Sequence, residues 1–123
     1  MSFSIGTDII EIDRIKQSID KYGQKFLDKI FTKREQEYCL RFKECERQFA
    51  GRFAAKEACV KALGTGITNQ VSWKDIEILS DPKGKPVVAL SHNVDLVLKN
   101  ERLEVSISHC KLYATAAAIK VPN

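Results

Sequence analysis

The sequence predicts an α+β fold, with helices packed on a mostly antiparallel sheet. Three observations carry that prediction. Apolar residues recur at helical spacing through long stretches of the first half of the chain. They alternate at a period of two at the N-terminus and again near the C-terminus. Between the two regions, Asp81-Pro82-Lys83-Gly84 is a turn that folds two strand-like runs into a hairpin.

Residues 3–10 set Phe3, Ile5 and Ile9 against Ser4, Gly6 and Asp8, which predicts a strand whose isoleucine face is buried and whose other face carries Asp8. From residue 13 to about residue 30 the period becomes helical, with Ile12, Ile15, Ile19, Tyr22, Phe26 and Ile30 on one side. At about 100° per residue, Lys21 and Lys25 each fall within about 20° of Arg14, and the three form a separate basic stripe. Gly23 weakens the middle of this helix. Thr32 followed by Glu35 is a capping-box pattern that starts a second helix, predicted to reach about residue 45 with Tyr38, Leu40 and Phe42 on it. Residues 46–63 form a third, with Phe49, Phe53, Val60 and Leu63 as its core residues and Gly64 at the C-cap. Residues 71–79 and 85–90 are the hairpin strands. Ser91 caps a helix to about residue 99. Residues 103–108 alternate cleanly, residues 109–111 turn, and residues 112–121 are the last strand.

The chain has 123 residues, with no internal repeat or linker-like tract, so it is expected to form one domain over residues 1–123. Hydrophobic residues at 44% and charged residues at 29% exclude a disordered chain. A net charge of +4 favours acidic or phosphorylated partners without naming one. Cys39, Cys45, Cys59 and Cys110 form no C-x-x-C pair, and with only His92 and His109 beside them they lack zinc-site spacing; they read as reduced thiols of a cytoplasmic protein. Acids follow the first residues at once, unlike a signal peptide, and no apolar run approaches the roughly 20 residues that span a bilayer. A nucleic-acid-binding domain finds no helix-turn-helix, RRM or OB-type signature.

Few residues are candidates for chemistry. Asp8 is either a solvated strand-end carboxylate or a ligand beside the space that Gly6 leaves. Glu57 and Lys61, four apart on one helix face, make either a surface ion pair or a partly buried acid and ammonium. Gly64-Thr65-Gly66 is either a C-cap with its turn or a glycine cradle for phosphate, but it is not a Walker A loop. His109 ends a strand as a turn residue or as a donor to an anion. No serine or cysteine stands in a nucleophile elbow. Two acids, a lysine, a glycine turn and a histidine suit metal-assisted phosphoryl transfer, with hard oxygens for Mg²⁺ and cations for phosphate.

The order of these segments resembles a known family. Gly6-Thr7-Asp8-Ile9, the run from Gly51-Arg52-Phe53-Ala54-Ala55-Lys56-Glu57-Ala58 through Lys61-Ala62 to Gly64-Thr65-Gly66, Gly84-Lys85-Pro86, and Ser106-Ile107-Ser108-His109 are similar to the bacterial holo-acyl-carrier-protein synthases, the small 4′-phosphopantetheinyl transferases. The resemblance spans essentially the whole chain and implies that family's fold. It implies transfer of 4′-phosphopantetheine from coenzyme A to a serine of apo-acyl carrier protein, with release of adenosine 3′,5′-bisphosphate, in support of fatty acid biosynthesis. Asp8 and Glu57 match the family's Mg²⁺ ligands, and Lys61 the lysine beside the pyrophosphate, so Glu57 and Lys61 are the catalytic residues expected. Gly64, Thr65, Gly66 and His109 match segments lining the coenzyme A site, with Arg52 and Lys56 in the same block. For the proton of the carrier serine the resemblance leaves Glu57, a water on the metal and Glu35 open. Arg14, Lys21 and Lys25 become a docking stripe for the acidic carrier protein. A homotrimer with sites between subunits is implied as well. Two residues depart from the pattern: Thr7 stands where an aliphatic residue is common, and Cys110 where a hydroxyl follows the histidine. Transferases for other carriers are usually about twice this length and built of two repeats, and no repeat is present here.

Overall fold

The computed structural model describes residues 3–67 and 71–123. In chain order the elements are β1 (Ser4–Glu11), α1 (Ile12–Tyr22), α2 (Gln24–Ile30), α3 (Lys33–Cys39), α4 (Cys45–Leu63), a 3-10 turn (Trp73–Asp75), β2 (Ile76–Ser80), β3 (Pro86–Leu90), α5 (His92–Leu98), β4 (Glu101–His109) and β5 (Tyr113–Pro122). Strands β1, β5 and β4 form an antiparallel sheet in that order. The β2–β3 hairpin is a separate two-stranded sheet rather than part of the first.

α4 is the axis of the molecule. Phe49, Ala50, Gly51, Arg52, Ala54, Ala55, Lys56, Ala58, Cys59, Val60, Ala62 and Leu63 are all buried, so the helix has no single apolar stripe and is enclosed on most sides. Small residues allow this. Ala54, Ala55, Ala58 and Ala62 share one core with Ala116 and Ala118 of β5. The closest approach is at Gly6 of β1. A Cβ there would stand 2.1 Å from the Ala58 carbonyl oxygen, 2.7 Å from Ala62 N and 2.8 Å from Lys61 Cβ. A second core gathers Ile12, Ile15, Leu27, Ile30, Phe31, Cys39, Phe49 and Ala50 between α4 and the first three helices.

Gly6 corrects the expectation for β1. The strand face packed on α4 is the one with Gly6 and Asp8, while Phe3, Ile5 and Ile9 are 69%, 70% and 66% exposed. Alternation separates the two faces of a strand, but it does not say which face a helix covers when that helix needs the smallest residue under it. The exposed face continues onto β5, where Ile119 pairs with Ile5 and Thr115 with Ile9.

Other boundaries shift for local reasons. Gly23, at φ +58° and ψ −136°, breaks the first helix in two, so Lys25 belongs to α2 and not to the stripe computed for one continuous helix. The capping box of Thr32 and Glu35 forms as expected, but α3 stops at Cys39. Ser72 and Asp75 form a second capping box, which turns residues 73–75 into a 3-10 helix where the strand was expected to begin. Gly64 caps α4 in the left-handed conformation at φ +81°.

Candidate active site

Asp8 leaves β1 on the face covered by α4, and Lys61 reaches it from the last turn of that helix. The Lys61 ammonium lies 3.3 Å from Asp8 Oδ1 and donates to the Thr7 carbonyl at 2.9 Å. Thr115 of β5 donates its hydroxyl to the Asp8 carbonyl at 2.8 Å, fixing the backbone behind the carboxylate. Glu57, one turn before Lys61, joins the group. Its carboxyl is raised above the ordinary glutamate value by burial and then by the negative charge of Asp8, while Lys61 opposes the rise. Among the described residues, the salt bridge to Lys61 is made by Asp8, and none is formed by Glu57.

Two carboxylates crowded beside one ammonium form a site short of positive charge. Among the described residues, no three His, Cys, Asp or Glu side chains cluster to enclose a metal. The pair nevertheless fits Mg²⁺, which takes hard oxygen ligands, needs only one or two carboxylates from protein, and keeps its other positions for water and phosphate oxygens.

Gly64, Thr65 and Gly66 follow directly and are exposed. Gly64 N–H is already used, donating to the Val60 carbonyl at 3.0 Å. This turn lies at the C-terminus of α4, where the helix dipole is negative and repels phosphate. Positive charge for a phosphate must therefore come from Lys61 and a cation rather than from helix amides.

Arg52 and His109 meet in a different place. A cleft of about 150 Å³ is bounded by Arg52 and Gly51 of α4, Tyr38 of α3, Ser80 and Gly84 of the hairpin, and His109 at the end of β4. Arg52 is only 6% exposed. Its Nη2 donates to Ser80 Oγ at 2.7 Å, its guanidinium lies 4.3 Å from the Tyr38 ring centroid, and its buried Nε has no partner among the described residues. A buried guanidinium that lines a cleft and keeps one donor unpaired suits an anion. No residue of this cleft belongs to the Asp8, Glu57 and Lys61 group. Positions 52 and 57 are about 140° apart around a helix, so the two groups lie on different sides of α4. Tyr38 and Ser80 were not foreseen. Tyr38 reads as an ordinary helix residue, and Ser80 becomes relevant only through the hairpin's placement.

Lys56 is a correction. It is fully buried, and its three protons are engaged by Glu35 Oε1 at 2.8 Å, the Trp73 carbonyl at 2.9 Å and the Ile76 carbonyl at 2.8 Å. No donor remains for coenzyme A. Glu35 is equally unavailable as a base: it is fully buried, and Thr32 N and Ile78 N each donate to it at 2.8 Å. Arg14, Lys21 and Lys25 are all exposed. Near them, Tyr22, Lys25, Phe26 and Lys29 line a surface hollow of about 400 Å³. Lys29, one turn beyond Lys25, is exposed and lines the same hollow, extending the basic stripe named from the sequence. Beyond His109, Cys110 is exposed, and backbone N–H groups of Leu112 and Tyr113 hold its thiol below the ordinary cysteine value.

Fold and site together define a class. The family model of the 4′-phosphopantetheinyl transferase superfamily matches residues 4–118. A holo-[acyl-carrier-protein] synthase of Protochlamydia amoebophila is 55% identical over 119 residues, covering 97% of this chain and 98% of the relative. The solved holo-(acyl-carrier-protein) synthase of Bacillus anthracis, in complex with CoA (3′,5′-ADP), is 38% identical with a TM-score of 0.84, covering 98% of this chain and 96% of that one. The Helicobacter pylori enzyme in complex with coenzyme A is 37% identical with a TM-score of 0.83, covering 97% and 99%. The chain belongs to the holo-[acyl-carrier-protein] synthase family of that superfamily.

Proposed function

We propose that Asp8, Glu57 and Lys61 form the centre at which this chain transfers the 4′-phosphopantetheine arm of coenzyme A to a serine of apo-acyl carrier protein, giving holo-acyl carrier protein and adenosine 3′,5′-bisphosphate. The observation that carries the assignment is the convergence of Asp8 from β1 with Glu57 and Lys61 from α4. Asp8 and Glu57 would hold Mg²⁺. When bound, the ion neutralises the pyrophosphate oxygens so that a hydroxyl can approach phosphorus. Lys61, half exposed and one turn from Glu57, adds a point charge for the same oxygens. The nucleophile arrives with the carrier, which accounts for the missing nucleophile elbow. Glu35 is removed from the candidate bases because both its oxygens are engaged inside the protein.

Arg52 and His109 would take the nucleotide end of coenzyme A, with residues 64–66 beside the phosphates. Because the two groups lie on different sides of α4, a complete site assembled between subunits of a homotrimer fits the chain. The bare apolar face of Ile5, Ile9 and Ile119 is the surface such a trimer would cover. The exposed Arg14, Lys21 and Lys25, joined by Lys29, would steer the acidic carrier. Magnesium dependence is tested by the transfer rate as a function of Mg²⁺. Asp8→Asn and Glu57→Gln are expected to raise the half-saturating Mg²⁺ concentration at least tenfold; an unchanged Mg²⁺ requirement in both would rule out this ligand pair.

A further inference from the structure

We propose that the buried Glu35–Lys56 pair is a positioning element of the coenzyme A cleft: it locks the β2–β3 hairpin against α4 and so sets the pocket formed by Arg52, Ser80 and His109. The inference rests on the reading of that cleft as the nucleotide site.

The hairpin needs such a lock. It carries Ser80, Gly84 and Pro86 to the cleft, yet among the described residues it shares no strand ladder with the sheet that carries His109. Its apolar side, Ile76 and Ile78, is buried in the main core. Apolar burial is non-directional, however, and does not fix a register. The ion pair supplies direction. Ile78 N donates to Glu35 Oε2 at 2.8 Å, and the Ile76 carbonyl accepts from Lys56 at 2.8 Å. An N–H that donates its hydrogen bond to Glu35 is not in the ladder with β3. Glu35 and Lys56 therefore occupy the free edge of β2 as a neighbouring strand would, the acid taking the N–H and the ammonium the C=O.

The same contacts fix the alignment that the cleft uses. Lys56 meets Ile76, and Arg52, one turn earlier on α4, meets Ser80, four residues further along β2. Helix and strand are thus matched at two points, and the buried pair sets the first. The remaining bonds of the pair tie in the start of α3 through Thr32 N and the 3-10 turn through the Trp73 carbonyl. A fully satisfied buried network of this kind specifies one geometry.

The test is the double variant Glu35→Gln with Lys56→Met, which removes both charges instead of stranding one. The KM for coenzyme A is expected to rise about tenfold, while kcat at saturating coenzyme A and the KM for carrier protein stay within about threefold. A purely stabilising role would lower Tm and leave the KM of the folded enzyme unchanged; that result overturns the proposal. A measurement on the unmodified enzyme decides the matter even if the variant does not fold. Adenosine 3′,5′-bisphosphate should slow hydrogen exchange at the Ile78 amide together with the hairpin amides, whereas protection near His109 with Ile78 unchanged would overturn the coupling. Arg52→Ala and His109→Ala separate the two readings. If both leave the KM for coenzyme A unchanged, the cleft assignment falls and this inference with it. If they raise it and the double variant does not, only the positioning role falls.

Discussion

Gly6→Ala is a one-carbon change that reaches the proposed centre without touching it. The added Cβ would stand 2.1 Å from the Ala58 carbonyl oxygen, a backbone atom that cannot rotate away, where ordinary contact begins near 3.4 Å. β1 and α4 must part by about 1 Å, and overpacking of this kind costs about 1–3 kcal/mol. For a domain of this size the corresponding fall in Tm is roughly 4–12 °C. The larger effect is on activity. Asp8 lies two residues further along the same strand face, and its partner Lys61 sits on the helix being pushed away. A displacement of about 1 Å between groups that act together costs about 100-fold in rate. The assay is the initial rate of carrier-protein modification followed by mass spectrometry, at a temperature where circular dichroism shows the variant folded. The expected result is a fall of about 100-fold in kcat/KM, equivalent to about 2.7 kcal/mol, not restored by raising coenzyme A. A variant with wild-type kcat/KM and Tm would refute the argument that the glycine contact sets the Asp8–Lys61 spacing.

Further predictions rest on other parts of the molecule. Ile5→Asp, on the exposed apolar face, should convert the expected homotrimer to monomer in analytical ultracentrifugation and abolish transfer; a monomeric and active wild-type enzyme would contradict the inter-subunit site. Reversing charge with Arg14→Glu and Lys21→Glu should raise the KM for carrier protein, most strongly at low ionic strength; an unchanged KM at low salt would remove the docking role. Burial alone would raise the Glu77 carboxyl, but hydrogen bonds from Arg34 and Thr32 outweigh it and hold the group below the ordinary glutamate value. Its contribution to stability is therefore full above the unfolded value of 4.5 and is lost as pH falls through the lower folded value. Urea midpoints of wild type and Glu77→Gln should converge as pH falls below 4.5, and a pH-independent difference would show that the charge is not what matters.

The parts of the fold legible in the sequence are those decided by local chemistry. The Thr32 and Glu35 capping box, the Gly64 C-cap and the Asp81–Gly84 turn each depend on a few neighbouring residues, and each formed where expected. What depended on tertiary partners was less legible. The buried face of β1 was assigned backwards because the close approach of α4 favours Gly6 over the isoleucines. Arg52 and Lys56 look alike in sequence, four residues apart in one basic block. Only the structure separates them, giving Lys56 three partners and placing Arg52 on a cleft with its Nε unpaired among the described residues. Periodicity placed Glu57 and Lys61 on one helix face, but it could not reveal that Lys61 pairs with Asp8, 53 positions away.

The most direct test of the central claim is the mass of an apo-acyl carrier protein after incubation with this enzyme, coenzyme A and Mg²⁺. The account predicts a gain equal to one phosphopantetheine, lost with EDTA and lost with Asp8→Ala or Glu57→Ala in folded protein. An unmodified carrier with wild-type enzyme, or full modification by both alanine variants, would contradict it.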